Sequence, residues 1–474
     1  MYTEVGEGPT AAAKLAGRAL GDVKEIALDE QPLPAKGFAI LTWMGYNHRW
    51  VPRGYAGYSI AREGDGSESP VSTSVTRPPQ TYKVLMIAPT SFFSDYGCSV
   101  RILEENRVLQ RLGHEVMVCT YRNGQDLPGL CIHRTPSIPF REHYEVGSSP
   151  HKIAFDLLLF WTALFAALRQ RPDVIHAHMH EGALIGLIVS RLLRLPLVFD
   201  FQGSLTSEMA DHKFLDPDSI FHEALHRLET AIDCQAPLIL TSSQNARDLL
   251  VREFGCQQER IQTMPDCVDA EAFYPPSDEE RPALLERRLR LGIPPDRKIV
   301  VYLGLLADYQ GTGLLLQAAA HMLAQRDDLH FLIMGFPSVN HYQSMARELG
   351  ISDRTTFPGK IPYADARDFL ALGDVAVAPK LSATEGSGKI LNYMAMGLPT
   401  VAFDTPVSRE YLGDLGTYAQ PGDAASLARA LLSALSEGSV SGRGAALRRE
   451  ALAAYTWDHA AEIILQAYGR VCQP

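Results

Sequence analysis

The stretch DVAVAPKLSATEGSGKILNYMAMGLPTVAFD, Asp374 to Asp404, decides the fold. DVAVAP is a short, nearly continuous apolar run, the pattern of a strand covered on both faces. KLSATEGSG is small and polar and reads as a loop. A helix then starts near Ser387 or Gly388 and ends at Gly397-Leu398-Pro399, and LPTVAFD is the next strand. Strand, helix and strand in that order make a parallel pair with a crossover, so this part of the chain is a parallel sheet carrying helices on its faces.

The same alternation continues outward. KIVVYLG and HFLIMG are strands preceding DVAVAP. From Tyr82, KVLMIAP, HEVMVCTY, DVIHAH, LPLVFDFQG and APLILTSS are strands separated by helical stretches, the first predicted from about Ser99 to Leu112. Between the two series, PPSDEERPALLERRLRLGIPPDRK is charged and Pro-containing, with a predicted helix in its middle. The chain therefore reads as an N-terminal extension and linker (1–80), a Rossmann-like domain (81–275), a linker (276–297), a second Rossmann-like domain (298–455) and a C-terminal helix (456–474), which is left open to pack back on the first domain. Two doubly wound halves imply a cleft between them, with ligands beyond the carboxyl ends of the strands.

Composition narrows the function. A chain of 474 residues fits roughly two to three domains. A net charge of −11 gives no footprint for nucleic acid. The seven cysteines are scattered without a C-x-x-C pair, which fits reduced thiols and a cytoplasmic setting. The N-terminus lacks the basic and apolar regions of a signal peptide. In the extension, REGDGSESPVSTSVTRPPQ reads as a flexible linker and FAILTWMGYNHRW as either a small hairpin or a docking segment. The most apolar window, Ile153 to Leu168, is shorter than a membrane-spanning helix and carries Asp156; it is read as a buried or half-buried helix.

The chemistry concentrates at the loop after DVAVAP. The first N–H groups of a helix lack intrahelical partners, and Gly386-Ser387-Gly388 lets an anion approach them, a plausible diphosphate seat. Lys389 in the first turn opposes the helix dipole, which makes sense if it meets that anion. Glu385 either caps the helix or points into the cleft toward sugar hydroxyls. No Asp-x-Asp metal motif is present, neither Asp200 nor Asp266 suggests a metal site, and no G-x-G-x-x-G follows a strand, which argues against a dehydrogenase.

EGSGKILNYMAMGLPTVAFDTPVSRE resembles the donor-site signature of the retaining family-4 glycosyltransferases, which have the GT-B architecture of two Rossmann-like domains facing a central cleft. The likeness extends through YKVLMIAPTSFFSDYGCSVRILEENRVLQRLGHEVMVCT, RPDVIHAHMHEGALIG, IQTMPDCVDAEAFYP and FPGKIPYADARDFLALGDVAVAP, covering most of residues 82–472. The resemblance implies transfer of a sugar from a UDP-, GDP- or ADP-linked donor to an acceptor hydroxyl with retention, by a metal-independent hexosyltransferase with no cofactor. It puts Glu385 at the donor sugar and Asn392 where relatives carry a ribose-binding glutamate, one residue closer than usual. Gly97, Gly304, Gly386, Ser387, Gly388, Lys389 and Ile390 join them around the donor. Two positions that hold diphosphate-binding cations in relatives read Leu305 and Gln310, for which Lys389 is the candidate replacement. The histidine expected in the N-terminal domain reads Gln202, leaving His178 or His180 to serve near the transferring carbon; Glu385, His178 and Gln202 form the catalytic set. Gly203–Leu215 and Arg141–Lys152 are the expected acceptor walls. Acceptors that are glycans, small molecules or lipid-linked all fit, which leaves peripheral membrane contact open. Rival readings are a GT-B-like nucleotide-sugar-binding protein with weakened turnover, and a sugar-nucleotide epimerase.

Overall fold

The structure, a computed structural model, describes residues 80–137, 152–211, 218–382, 385–436 and 440–473. The extension before residue 80, with its linker and FAILTWMGYNHRW, lies outside the described residues, as does Arg141–His151 of the expected acceptor wall.

The N-terminal domain carries strands β1 (Lys83–Ala88), β2 (Glu115–Thr120), β3 (Cys131–Arg134), β4 (Val174–His178), β5 (Leu197–Phe201), β6 (Ile239–Thr241) and β7 (Ile261–Thr263). They form one parallel sheet in the order β3-β2-β1-β4-β5-β6-β7. Its helices are α1 (Gly97–Arg111), α2 (Lys152–Gln170), α3 (Met179–Leu193), α4 (Leu205–Asp211), α5 (Ile220–Gln235) and α6 (Gln244–Arg252). Alternate residues of β1 enter opposite cores: Leu85 and Ile87 face α2 and α3, while Val84 and Met86 face α1.

After α7 (Arg281–Arg290), the second domain repeats the plan with β8 (Lys298–Leu303), α8 (Thr312–Leu323), β9 (Leu329–Met334), α9 (Val339–Glu348), β10 (Thr355–Gly359), α10 (Ala366–Leu370), β11 (Val375–Ala378), α11 (Gly388–Ala395), β12 (Thr400–Phe403), α12 (Pro406–Leu412), β13 (Thr417–Ala419), α13 (Ala424–Ser436) and α14 (Val440–Ala454). The sheet runs β10-β9-β8-β11-β12-β13, again all parallel. The two Rossmann-like sheets expected from the alternation are both present. The strands that the apolar runs did not mark, β3, β7, β10 and β13, are the four sheet edges. An edge strand pairs on one side only and needs less apolar surface, so its sequence signal is weak.

The chain closes with α15 (Trp457–Val471), entered through a parallel bridge between Val268 and Thr456. Thr456 accepts a hydrogen bond from His459 N and caps the helix. Trp457, Ala460, Ala461, Ile464, Ala467 and Tyr468 are buried with β1, β4 and α1, so the last helix of the sequence belongs to the core of the first domain. In addition, the Tyr468 hydroxyl is 2.8 Å from His176 Nδ1 of β4.

The expected half-buried helix is present at the most apolar window. The apolar helix α2 is 19 residues long and buries one face through Phe155, Leu159, Ala163, Ala166 and Ala167. Its other face is exposed and equally apolar, with Ile153, Leu157, Trp161, Phe165 and Leu168 outward. The apolar window thus lies within a helix that is by length and composition enough to cross a membrane, yet one face of that helix packs on the sheet.

Truncating Ile464 to alanine opens a cavity between α15 and the first domain and should cost about 2–5 kcal/mol. Urea unfolding checks this: the midpoint should drop, whereas an unmoved midpoint would mean that α15 contributes nothing to that core.

Candidate functional site

The carboxyl ends of both sheets face a cavity of about 410 Å³. The loop between β1 and α1, the start of α3, the β5–α4 turn and Asp266 line it from the first domain. Leu303–Leu305, Tyr309, Gln310, Lys380, Glu385–Lys389 and Asn392 line it from the second. The walls are tied together at the rim. Asp95 accepts a hydrogen bond from Tyr363 N at 2.9 Å and pairs with Lys360 at 2.9 Å. On the other side Tyr411 donates to the Ser242 carbonyl at 3.0 Å, and Glu410 accepts from Gln244 N.

Helix α11 begins at Gly388, and the Ser387 hydroxyl forms no capping hydrogen bond. Gly386 is required by a close approach: a Cβ there would sit 2.2 Å from Asp266 Oδ2. The glycines were expected to admit a phosphate; the neighbour that the structure shows at them is this carboxylate of the opposite domain. Glu385 faces the cleft, where it is paired with Lys380, whose ammonium also donates to the Gly386 carbonyl at 2.7 Å. Of the two readings of Glu385, a helix cap and a cleft residue, the geometry gives the second.

Lys389 crosses from α11 to the end of β8. Its ammonium is 2.7 Å from Gln310 Oε1, 3.3 Å from the Tyr302 hydroxyl and 4.6 Å from the centre of the Tyr302 ring. A side chain on Gly304 would collide with it, at 2.5 Å from Nζ. Burial, and then the nearby Lys380, pull the Lys389 pKa down to about 7. Gln310 thus accepts a hydrogen bond from Lys389 across the end of β8. Asn392 and Leu305 line the cleft beside it.

The floor of the first domain is a buried ionic cluster. Arg101 of α1 bonds both Asp200 oxygens, at 3.0 and 2.8 Å, and reaches Asp266 at 3.0 Å and Glu105 at 3.0 Å. Burial opposes ionisation of Asp200, but Arg101, with His178, outweighs it and holds the carboxyl far below the usual range. Glu105 is driven upward by burial and then by the Asp200 charge. Gln202 lines the cleft and donates to Asp200 Oδ2 at 2.8 Å. His178 is fully buried, with Nδ1 3.0 Å from the same oxygen, and stacks on His176 behind the cleft wall. It is His180 that lines the cavity, its Nε2 3.2 Å from Asp233 and 3.4 Å from Glu229. Burial disfavours its cation, yet Asp233 and Glu229 prevail and raise His180 to about 9.

The structure therefore brings Gly97, Gln202, Gly304, Gln310, Glu385, Gly386, Ser387, Gly388, Lys389 and Asn392 together around one cavity, and places His178 and Ile390 behind its walls. Three participants went unread in the sequence: Arg101, Lys380 and Glu208. Arg101 is a cation on the buried face of α1, and Lys380 opens the loop after β11, five residues before Glu385. Glu208, on α4, sits close to Glu385 over Gly203. Burial and then the Glu385 charge push Glu208 up to about 8, so near pH 7 it is mostly protonated and can donate a hydrogen bond.

Two groups bring ligand-type atoms within 4.8 Å of one another: Glu105, His176, His178 and Asp200, and His180, Glu229 and Asp233. In the first, Arg101 already supplies the positive charge. In the second, Glu229 is occupied by Leu205 N, Thr206 N and the Thr206 hydroxyl.

Comparison with known proteins matches two family models, Glycosyltransferase Family 4 over residues 97–272 and Glycosyl transferases group 1 over residues 297–437. Among curated proteins, a D-inositol 3-phosphate glycosyltransferase of Xylanimonas cellulosilytica is 25% identical over 396 residues, covering 79% of this chain and 91% of that relative. A second protein of that name from Catenulispora acidiphila is 26% identical over 364 residues, covering 71% of this chain and 82% of its own. Among solved structures, the sucrose-phosphate synthase of Thermosynechococcus elongatus superimposes with a TM-score of 0.70 at 17% identity, covering 82% of this chain and 98% of that one. HepE of Anabaena, in complex with UDP and glucose, gives 0.67 at 16% identity, covering 82% and 99%. At these identities the structural likeness speaks to the fold.

Replacing Arg101 with methionine would leave the buried Asp200 and the half-buried Asp266 without their cation, and should destabilise the chain by about 3–5 kcal/mol. Urea unfolding at pH 7 reads this, and a loss under 1 kcal/mol would contradict the role assigned to Arg101.

Proposed function

Since the chain belongs to the group 1, family 4 glycosyltransferases, we propose that it moves a hexosyl unit from a nucleotide sugar to an acceptor hydroxyl, with retention at the anomeric carbon and without a metal. The observation that carries this reading is Lys389. It is a half-buried lysine on the cleft, and among the described residues its hydrogen-bond partners are neutral. A departing diphosphate supplies the missing negative charge where charge develops in the transition state, which is where stabilisation accelerates a reaction. The N–H groups at the start of α11 add to it.

Glu385 and Glu208 would divide the contacts to the sugar. The ionised Glu385, oriented by Lys380, accepts hydrogen bonds from hydroxyls. Glu208, protonated near pH 7, donates one. Gln202 holds the acceptor side, fixed by Asp200, and the His180 cation adds positive charge to the same wall. These groups position the donor and the acceptor as much as they stabilise charge. The inositol phosphate named for the relatives is a sensible first acceptor to test. The reaction is proposed for the cytoplasm.

The test is release of nucleoside diphosphate from UDP-, GDP- and ADP-sugars, with binding followed by calorimetry; no affinity for any of the three would overturn the reading. Glu385→Gln should lower kcat at least tenfold with nucleotide Kd within about twofold, since a neutral amide keeps the shape and loses the charge. Lys389→Met should weaken nucleoside diphosphate binding about 10–100-fold, the span of a charge-assisted hydrogen bond. The sign of the pH effect follows from the free Lys389 pKa of about 7. A bound anion raises that value, so affinity is full below pH 7 and declines as the pH rises above it. In Lys389→Met the decline should vanish; a wild-type affinity flat from pH 6 to 9 would rule out titration of Lys389.

A further inference from the structure

Helices α2, α3 and α5 form one layer over the first sheet, and their outer surface is unusually apolar. Ile153, Leu157, Trp161 and Phe165 recur every four residues along α2, and with Leu168 they are between 48% and 77% exposed. Trp161 and Phe165 stack with ring centres 5.9 Å apart. Beside them α3 shows Leu184, Ile188 and Leu192 at the same spacing, and α5 adds Phe221 and Leu228. Single exposed apolar residues are ordinary, whereas ten on three adjacent helices mark an interaction surface.

Charge identifies the occupant. The acids of α2 and α3 are Asp156 and Glu181, and both turn inward, to Tyr121 and Lys152. The exposed charges at the C-terminal ends of these two helices are Arg169, Arg171, Arg191 and Arg194, with Asp173 beyond them bonded back to Lys83 N, and on α5 the exposed Glu223 is paired with Arg227. This basic border stands in a chain with 55 acidic and 44 basic residues. An aromatic-containing apolar face bordered by arginines fits the boundary of an anionic bilayer, where the ring sinks among the acyl chains and the guanidinium groups stay with the headgroups. Because Phe155, Leu159 and Ala163 pack into the core, α2 would lie in the plane of the membrane rather than cross it. We propose that the outer face of α2, α3 and α5 docks this protein on anionic lipid bilayers. The N-terminal ends of α2 and α3 supply Lys152 and Glu181 to the cleft, so a docked chain opens its acceptor wall beside the lipid.

This inference stands apart from sugar transfer, because its test needs no turnover. The full chain is sedimented in 0.1 M salt with vesicles of phosphatidylcholine, alone or mixed with phosphatidylglycerol. The wild type should pellet with the mixed vesicles. Leu157→Ser/Trp161→Ser/Phe165→Ser, substitutions on the exposed face, should bind at least tenfold more weakly with an unchanged thermal midpoint. Arg169→Gln/Arg171→Gln/Arg191→Gln/Arg194→Gln should lose the preference for phosphatidylglycerol. The inference is overturned if the wild type stays in the supernatant with both vesicles, or if the triple variant pellets as the wild type does. It is also overturned if the wild type is a dimer in solution that the triple variant dissolves, since a second copy then covers the face.

Discussion

The Arg101 guanidinium is the contact on which the cleft depends. It joins a helix, the end of β5 and the loop that leads toward the second domain by holding Glu105, Asp200 and Asp266 at once. A buried ion pair gains little over a hydrophobic replacement, yet removing one partner is expensive, so such a cluster fixes geometry more than it adds stability. Here the geometry matters. Asp200 aligns Gln202 and His178, and Asp266 lies against Gly386 and within 3.5 Å of the Tyr411 hydroxyl of the second domain. One cation thereby couples the floor of the first domain to the donor loop of the second.

The cleft itself is an arrangement of charges in low dielectric. Lys380 pairs with Glu385, burial and then the Glu385 charge raise the Glu208 pKa, and Lys389 is held by Gln310 and Tyr302. The opposite charges of Lys380 and Glu385 offset each other, while the like-charge pairs Lys380 with Lys389 and Glu385 with Glu208 disfavour full ionisation. The positive charge enters from α11 and is steered to the end of β8, where Gly304 leaves space for it.

On the far side of the first sheet the same fold leaves a liability. The helices needed to cover β1, β4 and β5 present apolar residues on both faces. Exposed surface of this kind lowers solubility unless something covers it, and a bordering row of arginines selects an anionic cover.

The central strands were legible because both of their faces are buried, which demands continuous apolar runs such as KVLMIA and LHFLIM. The edge strands were not, since half of their backbone is unpaired and little sequence signal remains. Lys389, Glu385 and the glycines around them could be read as site residues because they share one loop and one helix start. Arg101, Lys380 and Glu208 could not: a charged residue looks like any solvated one until packing buries it. The alternation of apolar runs thus determined two parallel sheets and the place of the cleft. Tertiary packing decided which charges meet inside it, that His180 rather than His178 reaches it, and that α15 completes the first domain, because burial and partnership between residues distant in sequence exist only once the chain has folded.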